Sequence, residues 1–389
     1  MEPKTAEAEC AVMLRLRRPG PLHRNAECSK HKKSVNQQKL SLRSSKCEGK
    51  LDMKNEVDSV AAPKRPSRLW LVARLIWRAM TNLGTLRRVI QFLSAPLFID
   101  AVQDNPKLAF KFLTDSYLVN GLSIKDRADC FLHHYGLLQE RVPTRALRQM
   151  LTWGLDLCEI NEGGVHFVVR CGSSRPCGKE GEQSLVLLAD GEVVYTIAFT
   201  FVPGHITQSK HPDTVLVSRV QGEPAFPYDK LKIVQQAAAR LRFGSLLLSS
   251  LDGIAQAFGI KEIACVSSEL QLSYAPAFAT RFKHAYEELF EERGFALNKV
   301  GLYVSPVPMP ERVRDEGKRK YATRDRARLS LRLQVSASCH NYFRGLLIPS
   351  TAEPHLEMND ADLPPLERAS RLAQQKAALP SETSSLSFG

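Results

Sequence analysis

Nowhere does this 389-residue chain hold the roughly 18 consecutive apolar residues that a membrane-spanning helix needs. No secretory leader is expected either, because Arg15, Arg17 and Arg18 break up the only apolar patch near the start. A disulfide framework is lacking. The nine cysteines are odd in number and scattered, and several, such as Cys265, fall inside apolar runs, as in reduced intracellular chains. Metal-ligand spacing is lacking too: Cys28-x-x-His31, with Cys10 and Cys47 as further donors, fits no common zinc finger, so no metal is expected. No base-reading motif with stacking aromatics accompanies the basic residues, which argues against sequence-specific nucleic-acid binding. These absences leave a cytoplasmic chain as the expectation.

What is present is charge, unevenly placed. The formal net charge is +13. Residues 1–68 hold 16 Lys/Arg against 8 Asp/Glu, and residues 312–332 hold 9 against 3, which leaves a net charge of −1 for everything else. The basicity therefore belongs to a tail and one helix, and the middle is near neutral. Residues 1–68 are polar, show no apolar period and read as a disordered basic tail. Residues 344–389, rich in Pro, Ser and Glu, read as a loose tail.

Between the tails the pattern changes once. Residues 69–160 read as a helical part. Trp70, Ala73, Ile76, Trp77 and Met80 recur at helical spacing within 69–93, flanked by Arg74, Arg78, Arg87 and Arg88. Such a basic amphipathic helix suits a membrane surface, or else packs with its Arg face in solvent. Ser123 is placed to cap a helix through Phe131 to Leu138. Residues 161–343 read as an α/β domain. Strand 166–170 is followed by a hairpin, 185–188 and 192–202, turned at Asp190-Gly191. The organising unit is 215–268: a strand ending at Gln221-Gly222, helices over 229–241 and from Ser245 to Gly259, and a short buried strand 263–266. A strand, a crossover and another buried strand make a parallel pair. A helix over 278–293, a strand at 302–304 and a Lys/Arg helix over 316–335 close the domain. The fold class is α/β (α+β): a helical N-terminal part, then a mixed sheet with helices on both faces.

The order hairpin, strand, helix, strand, helix, strand is similar to the GNAT acyltransferase fold. More specifically, residues 70–340 resemble the VirK/YbjX family of bacterial proteins. The pieces are His134-Tyr135, Val220-Gln221-Gly222, Ala239 to Arg242 leading into Leu246-Leu247-Leu248, Gly259-Ile260 to Val266-Ser267, Tyr286 to Gly294, and Lys318 to Tyr321. The VirK/YbjX resemblance implies a role in envelope integrity, virulence or resistance to antimicrobial peptides; the expected location is cytoplasmic or peripheral at the inner membrane. The GNAT resemblance implies acyl-CoA as cofactor and transfer of its acyl group to an amine. The phosphate loop of that fold is glycine-rich; Gln221-Gly222-Glu223-Pro224-Ala225 offers one glycine, and Pro224 has no N–H to donate. Its usual proton-donating tyrosine falls at Phe290, which leaves Tyr286 and Tyr274 as the nearest phenols.

On that reading Gln221, Gly222, Lys230 and Lys232 bind the cofactor phosphates at the strand-to-helix turn. Arg240 and Arg242 stand by as further cations. Tyr274 or Tyr286 is the acid and Glu269 the base. Each has an ordinary alternative: a turn, a solvated helix face, a core phenol. The competing class is a non-catalytic protein of the same shape that meets an anionic membrane surface or envelope component through the Lys/Arg helix. The sequence leaves the oligomeric state open.

Overall fold

The computed structural model describes residues 68–348, apart from residue 115, residues 175–177 and residues 312–321. The expected basic tail up to residue 67, the tail from residue 349 and the first turns of the Lys/Arg helix lie outside the described residues.

The chain opens with helices. α1 (Arg68–Thr81) and α2 (Leu83–Leu93) are two elements where the periodicity predicts one. They break at Asn82, whose amide donates to the Arg78 carbonyl (2.9 Å) while the Thr81 hydroxyl donates to the Trp77 carbonyl (3.0 Å). Short polar side chains that bond their own backbone end helices in this way. α3 (Pro96–Asp104), two 3-10 turns (Pro106–Ala109 and Lys111–Leu113), α4 (Ile124–Arg141) and α5 (Thr144–Thr152) follow. α4 starts where predicted. The Ser123 hydroxyl accepts from the Asp126 N–H (3.1 Å) and the Asp126 carboxylate accepts from the Ser123 N–H (3.4 Å), a capping box. Its buried face puts Phe131 and Tyr135 against Phe98 and Phe112.

Eight strands then form one sheet: β1 (Leu155–Glu162), β2 (Val165–Ser173), β3 (Gln183–Ala189), β4 (Glu192–Pro203), β5 (Asp213–Gly222), β6 (Glu262–Val266), β7 (Ala296–Leu297) and β8 (Leu302–Pro306). Their order is β1-β2-β3-β4-β5-β6-β8-β7. Every neighbouring pair is antiparallel except β5–β6, the parallel pair expected from the crossover. The β3–β4 turn places Asp190 (φ 49°) and Gly191 (φ 82°) both in the left-handed region, as an Asp-Gly hairpin turn requires. β1 lies where the sequence pattern reads as helix up to residue 160. A bulge between Asp156 and Cys158 makes Leu157 and Cys158 both buried, and that breaks the alternation that would have marked a strand.

A single turn, α6 (Gly204–Thr207), joins β4 to β5. The crossover from β5 to β6 is α7 (Tyr228–Ala237) and α8 (Phe243–Ala257). α8 begins two residues before the predicted Ser245 cap. Ala239 and Arg240 turn the chain in left-handed conformations (φ 53° and 55°), and the Arg328 guanidinium holds both their carbonyls (3.0 and 2.8 Å). Every α8 residue from Phe243 to Ala255 is buried. α8 covers one sheet face, with Phe258 on Phe201 (4.9 Å between rings), and α11 (Ala322–Leu346) lies across it. The two helices touch at Gly253, where any Cβ would run into the Ser336 carbonyl. α5 covers the opposite face at Gly172, which lies against the Met150 carbonyl. The predicted helix over 278–293 is two, α9 (Ala279–Ala285) and α10 (Glu287–Glu292), separated at Tyr286.

Candidate functional site

The parallel pair at the centre of the sheet is short. β5 and β6 meet only at Val215–Ile263, Leu216–Ala264 and Val217–Cys265. A register shift against β4 between Ala198 and Phe199 then inserts Ser218 and turns β5. β5 runs on to Gly222 without β6 beside it, so its backbone edge faces a gap. Into that edge reaches Tyr286, whose phenol oxygen accepts from the Val220 N–H at 3.4 Å, a long bond that a better acceptor can replace. Tyr286 is buried, among Phe282 and Phe290. Burial drives its phenol well above the ordinary tyrosine range; the Val220 N–H opposes this, and Glu180 and Arg219 act on it in opposite senses. It stays protonated throughout the physiological range and is a donor in reserve.

Beside it lies a polar cluster built on the segment that precedes β3. The Glu180 carboxylate, nearly sealed, accepts from Arg219 on β5, from the Gln271 amide (2.5 Å) and from the Ser273 hydroxyl (3.0 Å). Arg219 also donates to Gln221 Oε1. Gln271 Oε1 in turn accepts from the Ser273 N–H (2.6 Å) and lies 2.8 Å from the Ser273 hydroxyl, whose one proton it shares with Glu180. One side of the gap thus joins β5, the loop before β3 and the loop after β6.

Two residues on, Glu182 forms a separate centre. Its side chain is fully buried and pairs with Lys111 Nζ at 2.6 Å. It also accepts from the phenols of Tyr117 (2.5 Å) and Tyr135 (2.7 Å). Burial first, and the carboxylate second, push both phenols well above their ordinary range. His134 closes this side: its Nδ1 accepts from the Phe201 N–H (3.1 Å), which β3 no longer covers.

The predicted residues are divided among several places. Gln221 accepts from Arg219, and Tyr286 meets the N–H of the preceding residue, Val220, at the gap. Gly222 ends β5 opposite Tyr195. Tyr274 reaches the gap only indirectly, its ring edge-on to Phe282 (5.5 Å), which packs on Tyr286 (6.0 Å). Glu269 is exposed on the 3-10 turn Ser268–Leu270 that follows β6. Lys230 sits on the first turn of α7 and Lys232 just beyond it, but Lys230 pairs with Glu192 (2.7 Å) and Lys232 lies over the Tyr228 ring (4.5 Å). Asp229 shares that turn. Arg242 pairs with Glu288 and Glu292 (3.3 Å each). In the basic helix, Arg328 holds the α7–α8 corner and Arg332 pairs with Glu311 (2.5 Å).

Sequence reasoning missed Glu180, Glu182, Arg219, Lys111 and Gln271. The available signal was two acids in Glu180-Gly181-Glu182, just before an apolar strand in a segment otherwise read as a plain loop. Among the described residues no group of three or more His, Cys, Asp or Glu side chains is placed to hold a metal ion. No described helix is long and apolar enough to cross a membrane.

A mixed α/β fold with an open sheet and a polar gap at its parallel pair defines the class. The family follows from the sequence: the model described as protein of unknown function (DUF535) matches residues 64–331, and the chain belongs to that family. It is the same family as the VirK/YbjX proteins. No curated protein matches the chain. Among solved structures, two single-residue variants of a cAMP-binding acyltransferase from Mycobacterium smegmatis are similar at 12% identity, with TM-scores of 0.24 and 0.22. In both the match covers 57% of this chain and 63% of that one, so the chain spans less than two thirds of their length.

Proposed function

We propose that this chain transfers an acyl group from a thioester carrier of the acyl-CoA class to an amine, with the reaction centred on the β5–β6 gap. The observation that carries the reading is the Val220 N–H at the free edge of β5, held by the weak bond to the Tyr286 phenol. A thioester carbonyl that takes this N–H becomes polarised and frees the phenol to turn donor. The amine nitrogen attacks the carbonyl carbon and the C–N bond forms. The C–S bond then breaks, and the departing thiolate takes the Tyr286 proton. The amine proton passes to a carboxylate, for which Glu269, exposed just beyond β6, is the candidate. Arg219 and Glu180 fix the polar side of the gap.

The carrier's phosphates fit the N-terminus of α7, which follows β5 by five residues and is ten residues long. Lys230 and Lys232 serve there only if they leave Glu192 and Tyr228, and Asp229 and Pro227 weaken the same turn. Acyl-CoA affinity is therefore on the order of tens of micromolar or poorer. Acylation removes a positive charge and adds apolar surface. That chemistry suits the envelope-integrity and antimicrobial-peptide-resistance roles associated with the VirK/YbjX resemblance. Thermal unfolding of the full chain with acetyl-CoA and with long-chain acyl-CoA tests the reading. A rise in midpoint that grows with ligand concentration supports it, and no rise with either ligand contradicts it.

A further inference from the structure

α1 is amphipathic the wrong way round. Leu75 and Ala79 face the core, and Arg78 donates to the Leu113 carbonyl (3.0 Å), which fixes the helix to the 3-10 turn below it. Its wide apolar stripe faces outward. Leu69, Val72, Ile76 and Met80 follow one another at three- and four-residue spacing, with Trp70, Ala73 and Trp77 alongside. Trp77 is 68% exposed, Met80 64%, Ile76 54% and Trp70 50%. A contiguous stripe of this kind on a folded protein marks an interaction surface.

The charge around the stripe selects the occupant. Residues 68–93 contain five arginines, Arg68, Arg74, Arg78, Arg87 and Arg88, and no Asp or Glu. Arg74 lies over the Trp70 ring at the stripe's margin (5.0 Å). A cavity of about 800 Å³ lined by Leu75 also presents Lys107 and Lys179, while Lys111, which lines it too, is paired with Glu182. An outward apolar face with tryptophans, on a segment with five arginines and no acid of its own, is complementary to acyl chains under anionic headgroups, although Arg88 is paired with Asp129 of α4 (3.1 Å). We propose that α1 docks this protein on an anionic phospholipid bilayer by inserting Trp70, Ile76, Trp77 and Met80 below the headgroups. This does not depend on the acyl-transfer reading, because neither α1 nor α2 contributes to the gap.

The test uses the full chain and two vesicle preparations, mixed phosphatidylcholine–phosphatidylglycerol and pure phosphatidylcholine. The parent is expected to sediment with the mixed vesicles and much less with the neutral ones. The Ile76→Gln, Trp77→Gln, Met80→Gln variant is expected to bind the mixed vesicles roughly tenfold or more weakly, because three inserting side chains are lost. Its thermal midpoint should match the parent's, since all three sites are exposed. Equal binding by parent and variant, abolished for both by high salt, would assign the interaction to basic residues elsewhere and overturn the proposal. So would a parent dimer that the variant dissolves without any change in vesicle binding, which would make the stripe a self-association surface. A second readout does not depend on the variant's folding. In a Trp153→Phe background, lipids with brominated chains should quench Trp70 and Trp77 fluorescence, and an unquenched signal in bound protein would contradict insertion.

Discussion

Glu180 and Glu182 lie two residues apart on one segment, yet their surroundings divide structure from function. Glu182 is shut in: two phenols and one ammonium meet both its oxygens, and its side chain has no exposure at all. Glu180 is also well paired, but its partner Arg219 is a quarter exposed, and Gln271 and Ser273 come from the loop after β6 rather than from helices. Neither acid lies in a strand, since β3 begins only at Gln183, and the irregular backbone over residues 180–182 sends one acid towards α4 and the helical front and the other towards the β5–β6 gap. The Glu182 network ties the sheet to the helical front, whereas the Glu180 network ties β5 to the loops that border the β5–β6 gap.

The largest effect expected is on the closed side. Glu182→Ala leaves the Lys111 ammonium and two buried phenols without their acceptor and should cost about 3–5 kcal/mol of stability in urea unfolding. A loss below about 1 kcal/mol would erase the distinction between the two acids. Tyr286→Phe removes only the weak acceptor of the Val220 N–H and should cost about 0.5–1.5 kcal/mol in stability. If the phenol is the acid, the same change lowers transfer by roughly 10²–10⁴-fold. Unchanged transfer with an intact fold would remove Tyr286 from the chemistry.

A pH series sharpens the contrast on the closed side. Burial, then Lys111 and His133, depress the His134 imidazole well below its ordinary range, and its Nδ1 must stay unprotonated to accept from Phe201. The native state therefore refuses a proton that the unfolded chain takes near pH 6.5. Stability is kept above that pH and lost below it, by up to about 1.4 kcal/mol per pH unit for this group. His133 is also depressed by burial, although Asp213 opposes it, so the parent alone does not isolate His134. Comparing unfolding of the parent with His134→Gln at neutral and acid pH does; equal slopes would show that His134 carries none of the effect. The smallest effect is at the rim. Lys230 and Lys232 are exposed, so changing both to Ala should leave stability within about 0.5 kcal/mol while abolishing the weak acyl-CoA binding. Tight binding that survives the double change would place the phosphates elsewhere.

Much of the architecture was legible because it rests on local rules. The capping box at Ser123, the Asp190-Gly191 turn, the buried run 263–266 and the crossover between two strands all carry period or turn chemistry within a few residues. β1 escaped because a bulge spoils its alternation, and the helix breaks at Asn82 and Tyr286 because apolar period runs straight through them. Less of the candidate site could be read. Gln221 and Tyr286 were visible from their place beside β5 and in the aromatic helix, but Glu180, Arg219 and Gln271 meet across long sequence separations. Nothing local marks such a meeting. The outward stripe of α1 carries the same lesson: its period was plain, while the direction it faces depends on what Leu75 and Arg78 find beneath it.

Amide hydrogen exchange at Val220 tests the central claim most directly. In Tyr286→Phe the Val220 N–H has lost its acceptor and should exchange faster than in the parent, and saturating long-chain acyl-CoA should slow it again as the thioester carbonyl takes the phenol's place. Exchange at Val220 that acyl-CoA leaves unchanged, in a variant that still binds it, would contradict the β5–β6 gap as the reaction centre.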